Sequence, residues 1–471
     1  MIRKTKLSPF GCAFVCAAVL MAGCASRSSM TLPSIEHPPG WSAPVASMAS
    51  AGNSPWWDKY SDPKLGLVMR QAFESNADLR GAAYRVKSAQ LQSQLVNTNG
   101  GVNVGATASV NRAKDFGSGT GTSASGANVS LSYEVDLWGK LATQRDISQW
   151  QARATRDDCE AISLSLAGTV ANLYWQIAQL NQLISLGETD IEYARKTQEI
   201  VDSRYDAGAI SGIAKAQAAV NVANQRAAQT RLVQSRVELR HAMAALLSKP
   251  PSHRIDELAL LPGAGLPPVQ VNLPAEVLGK RPDLHAAEMR LRAAFSNIDA
   301  VRTSFYPSLS LTGGLGTSSN DLLGFAKNPV AFLGGLLTLP FLQANALKLN
   351  VQVSQVQFDE AVVSFKQRLY TALTEVEDAL SAKEQLETAY GHERLARDQA
   401  AVAEGMVEAR YRAGFVELQL WLDAKQTLRS AERALIYTRF SQLVTESKLY
   451  KALGAGNGSP DGTCEARGPS S

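Results

Sequence analysis

The sequence predicts an α+β membrane protein in which long coiled-coil helices alternate with strands of the outer-membrane type. Three features carry this prediction: a basic and apolar leader that ends in a cysteine, helical heptads of unusual length, and strands whose side chains alternate between apolar and polar. The chain has 471 residues, of which 45% are hydrophobic and 19% are charged, and this composition excludes a wholly disordered or collagen-like chain.

Residues 1–23 have the form of a bacterial lipoprotein leader. A basic start precedes about a dozen apolar or small residues, too few to span a bilayer as a helix, and the run ends in Gly23 and Cys24. This ending resembles the lipoprotein box, which implies cleavage after Gly23 and N-palmitoyl and S-diacylglycerol groups on Cys24. Ala25 comes next, and the resemblance therefore implies sorting to the outer membrane. The alternative is an ordinary secretory peptide that contains a cysteine.

The charge balance and the cysteines exclude several function classes. The leader holds three basic residues and no acid, so the formal net charge falls from +4 for the whole chain to +1 for a chain that starts at Cys24, which argues against nucleic acid as a partner. Three of the five cysteines lie within the first 24 residues, and the spacing of the other two, Cys159 and Cys464, assigns neither a disulfide framework nor a zinc site. We interpret Cys159 as a small residue that packs within a helix.

Proline distribution divides the chain. Prolines are absent from residues 64–249 and crowd residues 250–282, and the stretch before Pro63 is rich in Pro, Ser and Gly. We predict a leader (1–23), a lipidated tether and equatorial segment (24–60), a first repeat (61–250), a linker (251–275), a second repeat (276–453) and a disordered tail (454–471).

One unit of roughly 200 residues occurs twice. The motif at 78–85 recurs 205 residues later at 283–290, and the motif at 204–208 recurs 206 residues later at 410–414. A drift of one residue over more than a hundred positions is hard to obtain by chance, so the sequence indicates a tandem duplication.

Each repeat contains a hairpin of two long helices. In the first, we predict helices over about 140–207 and 213–248; in the second, over about 342–413 and 417–453. At 1.5 Å per residue the outgoing helix is about 100 Å long, far beyond the usual helix of about 11–12 residues. Its seam follows a 3-4 spacing in which only Gln198 is polar: Val170, Leu173, Ile177, Leu180, Ile184, Gly187, Ile191, Ala194, Gln198, Val201 and Tyr205.

Each repeat also contains a pair of membrane-type strands. We predict strands over about 100–111 and 127–138 in the first repeat, with 113–126 as an external loop, and over about 307–317 and 330–340 in the second. The alternation is cleanest in 128–137, where Val, Leu and Tyr face one side and Asn, Ser and acids face the other. Strands of about 9–11 residues with one apolar and one polar face are typical of outer-membrane proteins.

These strands imply an assembly of several copies. No stretch after Gly23 is apolar and long enough for a transmembrane helix, so we expect the strands to cross the membrane. Crossing strands must close into a barrel, and four per chain are too few when the smallest single-chain barrels have about eight. Composition and spacing permit two, three or four copies.

The chain resembles the outer-membrane efflux proteins of the TolC-like fold, in particular their lipidated branch of the OprM and NodT type. The resemblance covers the chain from Cys24 to about Leu453. It rests on these motifs: Trp56-Trp57 with Asp62-Pro63, Asn76 with Asp78-Leu79, Asp136-Leu137-Trp138-Gly139, Arg281-Pro282-Asp283-Leu284 with Glu288, Phe305 to Gly313, Glu375 to Leu380, and Arg410-Tyr411 with Gly414 leading to Leu422-Asp423-Ala424.

The resemblance implies a homotrimer with a twelve-stranded barrel, a periplasmic tunnel of twelve helices and an equatorial domain. It implies a periplasmic adaptor and an inner-membrane efflux pump as partners, in the outer membrane of a Gram-negative bacterium. The chain would be a passive exit duct for drugs or other toxic compounds, without a cofactor.

The resemblance also places a pore constriction after the second helix turn. Asp423 matches a constriction acid of the family, with Gln419 and Gln426 as neighbours where relatives have Leu and Arg, and the turns themselves lie at Gly208 and Gly414. Three carboxylates around a narrow axis would raise one another's pKa and attract cations. The alternative for Asp423 is an ordinary solvated residue on a coiled-coil face.

Other residues give no enzyme signature. His285 and Glu288 are spaced to share a helix face, and we interpret them as a surface pair in preference to a metal site. The acids within 375–378 are interpreted as a solvated patch on a long helix. The sequence has no nucleophile elbow and no phosphate-binding loop, and we predict neither an enzyme nor a metal site.

Three alternative functions remain open at this point. A structural lipoprotein with coiled coils would lack membrane strands, and the alternation in 128–137 argues against it. A periplasmic adaptor usually has one helical hairpin, whereas this chain has two. A type I secretion outlet for polypeptides would share the channel fold, although the lipoprotein box favours small-molecule efflux.

Overall fold

A computed structural model describes residues 28–30, 40–42, 55–263, 265–267, 269, 279–319, 329–454 and 464. Its helices are α1 (Pro63–Ser75), α2 (Ala77–Asn99), α3 (Lys140–Asp206), α4 (Gly212–Leu246), α5 (Pro282–Thr303), α6 (Ala344–Arg412) and α7 (Leu418–Ala452). Its strands are β1 (Asn103–Lys114), β2 (Gly121–Val135), β3 (Ser308–Ser319) and β4 (Pro329–Thr338).

The chain divides into two compact units. Unit 1 comprises residues 1–35, 86–155 and 286–367, and unit 2 comprises residues 36–85, 156–285 and 368–471. Each unit therefore draws on both sequence repeats. Helices α2, α3, α5 and α6 have residues in both units.

Unit 1 contains a four-stranded antiparallel sheet in the order β1-β2-β3-β4. Strand β2 begins at Gly121 and not near 127, and β1 continues to Lys114, so the loop expected over 113–126 shrinks to 115–120. The Gly, Ser and Thr residues of 121–126 still pair in register with 109–114, because small polar side chains suit a solvated strand as well as a loop. Asp115 makes the turn, since its carboxylate accepts the amide N–H of Gly117 at 2.7 Å.

The register aligns the apolar faces of the strands. Val104 pairs with Leu131, Val129 with Leu315, and Tyr133 with Leu311. Strand β4 departs from the pattern, because Phe332 lies opposite Gly314 on the otherwise polar face. A Cβ atom at position 314 would lie 2.6 Å from the carbonyl oxygen of Val129 and 2.7 Å from the Phe332 ring, so only glycine fits there.

The start of α3 is held by residues of the family motif at the end of β2. The Asp136 carboxylate accepts the amide N–H groups of Leu141 and Ala142 at 3.0 and 2.8 Å, which caps the free amides of the first helical turn. The indole N–H of Trp138 donates to the carbonyl of Pro307 at 2.7 Å, so it also fixes the entry to β3.

The long helices begin and end within two residues of the predicted positions, and the strand ends differ by up to six. Most of the predicted α3 seam is buried, including Val170, Ile177 and Val201. Tyr205 is 42% exposed, because α3 ends one residue later, at Asp206. None of the described helices combines the length and the hydropathy needed to cross a membrane.

The core of unit 2 includes an aromatic cluster that the sequence did not predict. Residues Trp56–Tyr60 form a short 3-10 helix, so the tether stops before this point. The Trp56 ring stacks on Tyr450 of α7 with centroids 5.4 Å apart and contacts Trp175 of α3 at 6.4 Å. Trp56 and Trp175 are almost fully buried.

Part of the linker is bound to unit 2. Glu257 receives two hydrogen bonds from the Arg240 guanidinium at 2.6 and 2.7 Å, and its Oε2 also accepts from the Asn181 amide at 3.1 Å. These donors hold the pKa of Glu257 below its usual range despite its burial. Residues 264, 268 and 270–278 of the linker region lie outside the described residues.

Candidate functional site

One glycine turn joins the two long helices of each hairpin. Gly208 follows α3 and Gly414 follows α6, with φ of 70° and 82°, the left-handed region that favours glycine. In each turn the residue after the glycine donates its amide N–H five residues back, at 2.8 Å in the first turn and 3.0 Å in the second, and the glycine N–H donates three residues back. This is a Schellman motif, and the two hairpins end in the same way.

The first two turns of α7 present an exposed polar face. Gln419, Asp423 and Gln426 are all exposed. The Gln419 amide donates to Asp423 Oδ1 at 2.7 Å, and the Gln426 amide donates to the Ser430 hydroxyl at 3.4 Å. The structure thus brings the three predicted constriction residues onto one helix face, as a polar and hydrogen-bonded surface.

The opposite face of α7 packs on an aromatic cluster beside the two turns. Trp421 is 2% exposed; its ring stacks on Tyr411 with centroids 4.9 Å apart and contacts Tyr193 at 5.7 Å. Its indole N–H donates to Glu404 at 3.1 Å. Residues of α3, α4, α6 and α7 thus share one buried cluster (Val201, Ala218, Tyr411, Leu418 and Trp421) directly behind the Asp423 face.

A buried ion pair joins α3 and α7 two turns further along α7. Arg429 Nε lies 2.9 Å from Asp190 Oδ1, with side-chain exposures of 3% and 5%. The two side chains form an ion pair at this distance, but Arg429 Nε does not donate a hydrogen bond. Arg433 lies 4.0 Å from the other carboxylate oxygen of Asp190 and adds a second positive charge.

Unit 2 also contains a buried acid, Glu446 of α7. Its Oε2 accepts the Tyr60 hydroxyl at 2.7 Å, and its side chain is almost fully buried. Burial raises the pKa of Glu446 to about 7, against the opposing effect of the Tyr60 hydrogen bond and of Lys383, Arg439 and Lys59. The folded protein therefore holds a proton here over a range in which an unfolded chain releases it.

We expect Glu446→Gln to remove part of the pH dependence of stability. Because the pKa of Glu446 rises from 4.5 to about 7 on folding, the folded state binds more protons in that window, and stability falls as the pH rises through it. The free energy of unfolding of the wild type should drop by about 3 kcal/mol relative to the variant between these limits. Denaturant unfolding at a series of pH values measures this. Glu387→Gln, at an exposed acid of α6, is the control, and parallel pH profiles for wild type and Glu446→Gln would contradict the prediction.

The other candidate residues have structural partners. His285 does not share a site with Glu288: His285 Nδ1 lies 2.8 Å from Asp157 Oδ2, whereas Glu288 accepts from Arg292, so the expected pair is wrong. The two residues lie on one helix, but each side chain turns to a partner of its own.

The acids within 375–378 are also not simply solvated. Glu375 accepts from the buried Arg281 at 2.7 Å, and Glu377 accepts from Ser42. Within the part of the chain that the structure describes, no group of three or more His, Cys, Asp or Glu residues is arranged to hold a metal ion.

A disulfide joins Cys159 of α3 to Cys464, with Cα atoms 5.9 Å apart and a sequence separation of 305. The interpretation of Cys159 as a plain packing residue is therefore wrong. Of the tail predicted over 454–471, the structure describes Gly454 and Cys464, and the rest of that prediction lies outside the described residues. The one available signal was that Cys159 and Cys464 are the only cysteines after Cys24. Their separation gave no reason to pair them, because disulfide connectivity depends on the fold.

The predicted lipid attachment site lies outside the part of the chain that the structure describes. Cys24 and Gly23 lie outside the described residues. The nearest described residues after them are 28–30, which belong to unit 1.

Comparison with known proteins identifies the family. The model of the outer membrane efflux protein family matches residues 68–248 and 273–455, one match for each repeat, which confirms the duplication. The toluene efflux pump outer membrane protein TtgC of Pseudomonas putida is 30% identical over 446 residues, covering 89% of this chain and 88% of TtgC. The pyoverdine export outer membrane protein OpmQ of P. putida is 29% identical over 448 residues, covering 93% and 95%.

The fold agrees with this family. The CmeC outer membrane channel of Campylobacter jejuni superposes with a TM-score of 0.85 at 24% identity, covering 92% of this chain and 95% of CmeC. The TolC-like fold implied by the resemblance is confirmed. The family match also decides against the adaptor and the structural lipoprotein. This chain belongs to the outer membrane efflux protein family.

Proposed function

We propose that this protein is the outer-membrane exit duct of a tripartite efflux system, built from three copies. The observation that carries the proposal is the sheet of unit 1. Its two edge strands, β1 and β4, are exposed along their whole length. Large apolar side chains of the sheet are exposed as well, with Leu315 at 66% and Leu333 at 89%. An apolar sheet face suits lipid, and strand edges in lipid need partners, which further copies supply. Three copies supply twelve strands.

The partners and cargo follow from the family. A periplasmic adaptor and an inner-membrane pump would supply the energy, and this chain would conduct passively. Relatives are named for toluene efflux and for pyoverdine export, so small organic molecules are the proposed cargo class. The family consists of efflux proteins, and we propose no catalytic role. A type I secretion outlet stays the second candidate on the shared fold.

The copy number tests the proposal directly. The full mature protein in detergent should have the mass of three chains, and reconstituted into planar bilayers it should produce discrete ion currents. A water-soluble monomer without currents would overturn the channel assignment. Mass spectrometry of the mature N terminus would separately test acylation of Cys24.

We expect Asp423→Asn to enlarge the leak of the closed channel or make it less sensitive to cations. In the proposed trimer, three Asp423 carboxylates would surround the axis near the turns, and the Gln419 bond orients each of them. Bilayer conductance with and without divalent cations measures the effect. Glu387→Gln, which removes an exposed acid elsewhere on a long helix, is the matched control. An unchanged trace for Asp423→Asn would remove this residue from the gate and leave the channel in place.

A further inference from the structure

The segment after the leader is bound to the folded protein at two sites, one in each unit. In unit 1, the Ser28 amide N–H donates to Asp299 Oδ2 and the Ser28 hydroxyl donates to Asp299 Oδ1, both at 2.9 Å. Asp299 lies in α5; its side chain is 14% exposed, and its Oδ1 also accepts from Arg302 at 3.3 Å. Both oxygens of one carboxylate are thus used by the backbone and side chain of one serine.

The second site, in unit 2, has the same chemistry. The Ser42 amide N–H and hydroxyl both donate to Glu377 Oε1, at 3.0 and 3.2 Å. The adjacent Trp41 packs against a buried apolar cluster of α6 and α7 (Val376, Ala379, Leu380, Leu449, Ala452 and Leu453). A charged acceptor that receives two hydrogen bonds, next to an aromatic ring on an apolar surface, binds a peptide in a defined position.

A flexible tether would not need either of these two binding sites. The Pro, Ser and Gly content of the segment predicts only an extended tether. The structure is more specific, because two carboxylates on different helices each accept two hydrogen bonds from one serine. Among the described residues, the Asp299 carboxylate also accepts from its helical neighbour Arg302 at 3.3 Å, and its side chain is 14% exposed.

We propose that Asp299 and Glu377 are docking sites for the N-terminal segment and that Asp299 sets the level at which the acyl chains enter the membrane. This inference rests on the proposed acylation of Cys24. Four residues of extended chain reach about 14 Å at most, so the Cα atom of Cys24 stays within about that distance of Ser28, which Asp299 binds. Asp299 lies four residues before the end of α5, and β3 begins at Ser308. The lipid and the sheet of unit 1 therefore enter the bilayer close together.

Proteolysis tests both sites, because each bonded serine amide is the nitrogen of a cleavable peptide bond. Trypsin cuts Arg27–Ser28 and chymotrypsin cuts Trp41–Ser42, and both enzymes require the bond to leave its docked position. In the full mature protein in detergent, Asp299→Ala should speed tryptic cleavage at Arg27–Ser28 at least about tenfold, since cleavage follows the undocked population. Glu377→Ala should do the same for chymotryptic cleavage at Trp41–Ser42.

Each variant is the control for the other. Glu377→Ala should leave the tryptic rate at Arg27–Ser28 within about twofold of wild type, and Asp299→Ala should leave the chymotryptic rate at Trp41–Ser42 equally unchanged. Should Asp299→Ala fail to assemble, Ser28→Ala removes the hydroxyl donor alone and should give a smaller acceleration in an intact protein. Equal rates in wild type and in the assembled variants would overturn the docking sites.

The released fragment separates this inference from the proposed lipidation. Trypsin liberates residues 24–27, and the mass of this peptide reports whether Cys24 is acylated. An acylated fragment with rates that depend on position 299 supports the level-setting role. An unacylated fragment would overturn that role whatever the rates are, and an acylated fragment with rates independent of position 299 would overturn the docking and leave the lipid anchor.

Discussion

Arg429→Met should destabilise the folded protein by about 3–5 kcal/mol, among the largest effects expected from a single substitution. The substitution leaves the carboxylate of Asp190, 5% exposed, without its closest positive charge. Arg433, at 4.0 Å, compensates only in part. Denaturant unfolding of the detergent-solubilised protein, followed by far-ultraviolet circular dichroism, measures the loss.

The double variant Asp190→Leu/Arg429→Met gives the sharper result. Removing both charges leaves no fully buried ion without a partner, since Arg433 is 32% exposed to solvent. The double variant should therefore be more stable than either single variant, although each single change is destabilising. Lys196→Met, which breaks the exposed pair of Lys196 with Glu192 on the same helix α3, is the control and should leave the stability nearly unchanged. Additive losses at positions 190 and 429 would contradict the ion-pair account.

Cys464→Ser should lower stability by about 2–5 kcal/mol, because the disulfide closes a loop of 305 residues and restricts the unfolded chain. Reduction of the wild type should produce the same loss, and the variant should not respond to reductant. Cys159→Ser and the double serine variant should match Cys464→Ser, since all three remove one bond. Thermal unfolding with and without reductant measures the effect.

Thiol labelling provides the independent check on this bond. Denatured, unreduced wild-type protein should bind no maleimide at Cys159 or Cys464. Labelling of both positions without prior reduction would show that the bond does not form in the mature protein.

The sequence predicted the helices and strands best where the pattern of neighbouring residues is enough to define them. Heptad spacing placed the ends of α3, α4, α6 and α7 within two residues, since a coiled-coil seam repeats over many turns and averages out local exceptions. Strand ends were less accurate, because the alternation fades into Gly, Ser and Thr residues that suit strand and loop equally. The apparent loop over 113–126 became strand only through its pairing with β1.

The site was predicted in part. The conserved spacing between the repeats located both glycine turns, and the family resemblance located the exposed acid at position 423, which the structure places on a polar face with Gln419 and Gln426. The buried partners behind that face, Trp421 with Tyr193 and Arg429 with Asp190, had no sequence signal. These four residue types are ordinary in a long helix, and the two members of each pair lie more than 200 residues apart in the chain, so nothing in the sequence links them.

The sequence by itself determined the duplicated architecture, the length of the helices and the two-faced strands, because each is a periodic property of neighbouring residues. Tertiary structure alone decided which cysteine bonds to which, which acid holds a proton near neutral pH, and which carboxylates bind Ser28 and Ser42. Such contacts join distant parts of the chain, and their energies depend on burial and geometry that exist only after folding.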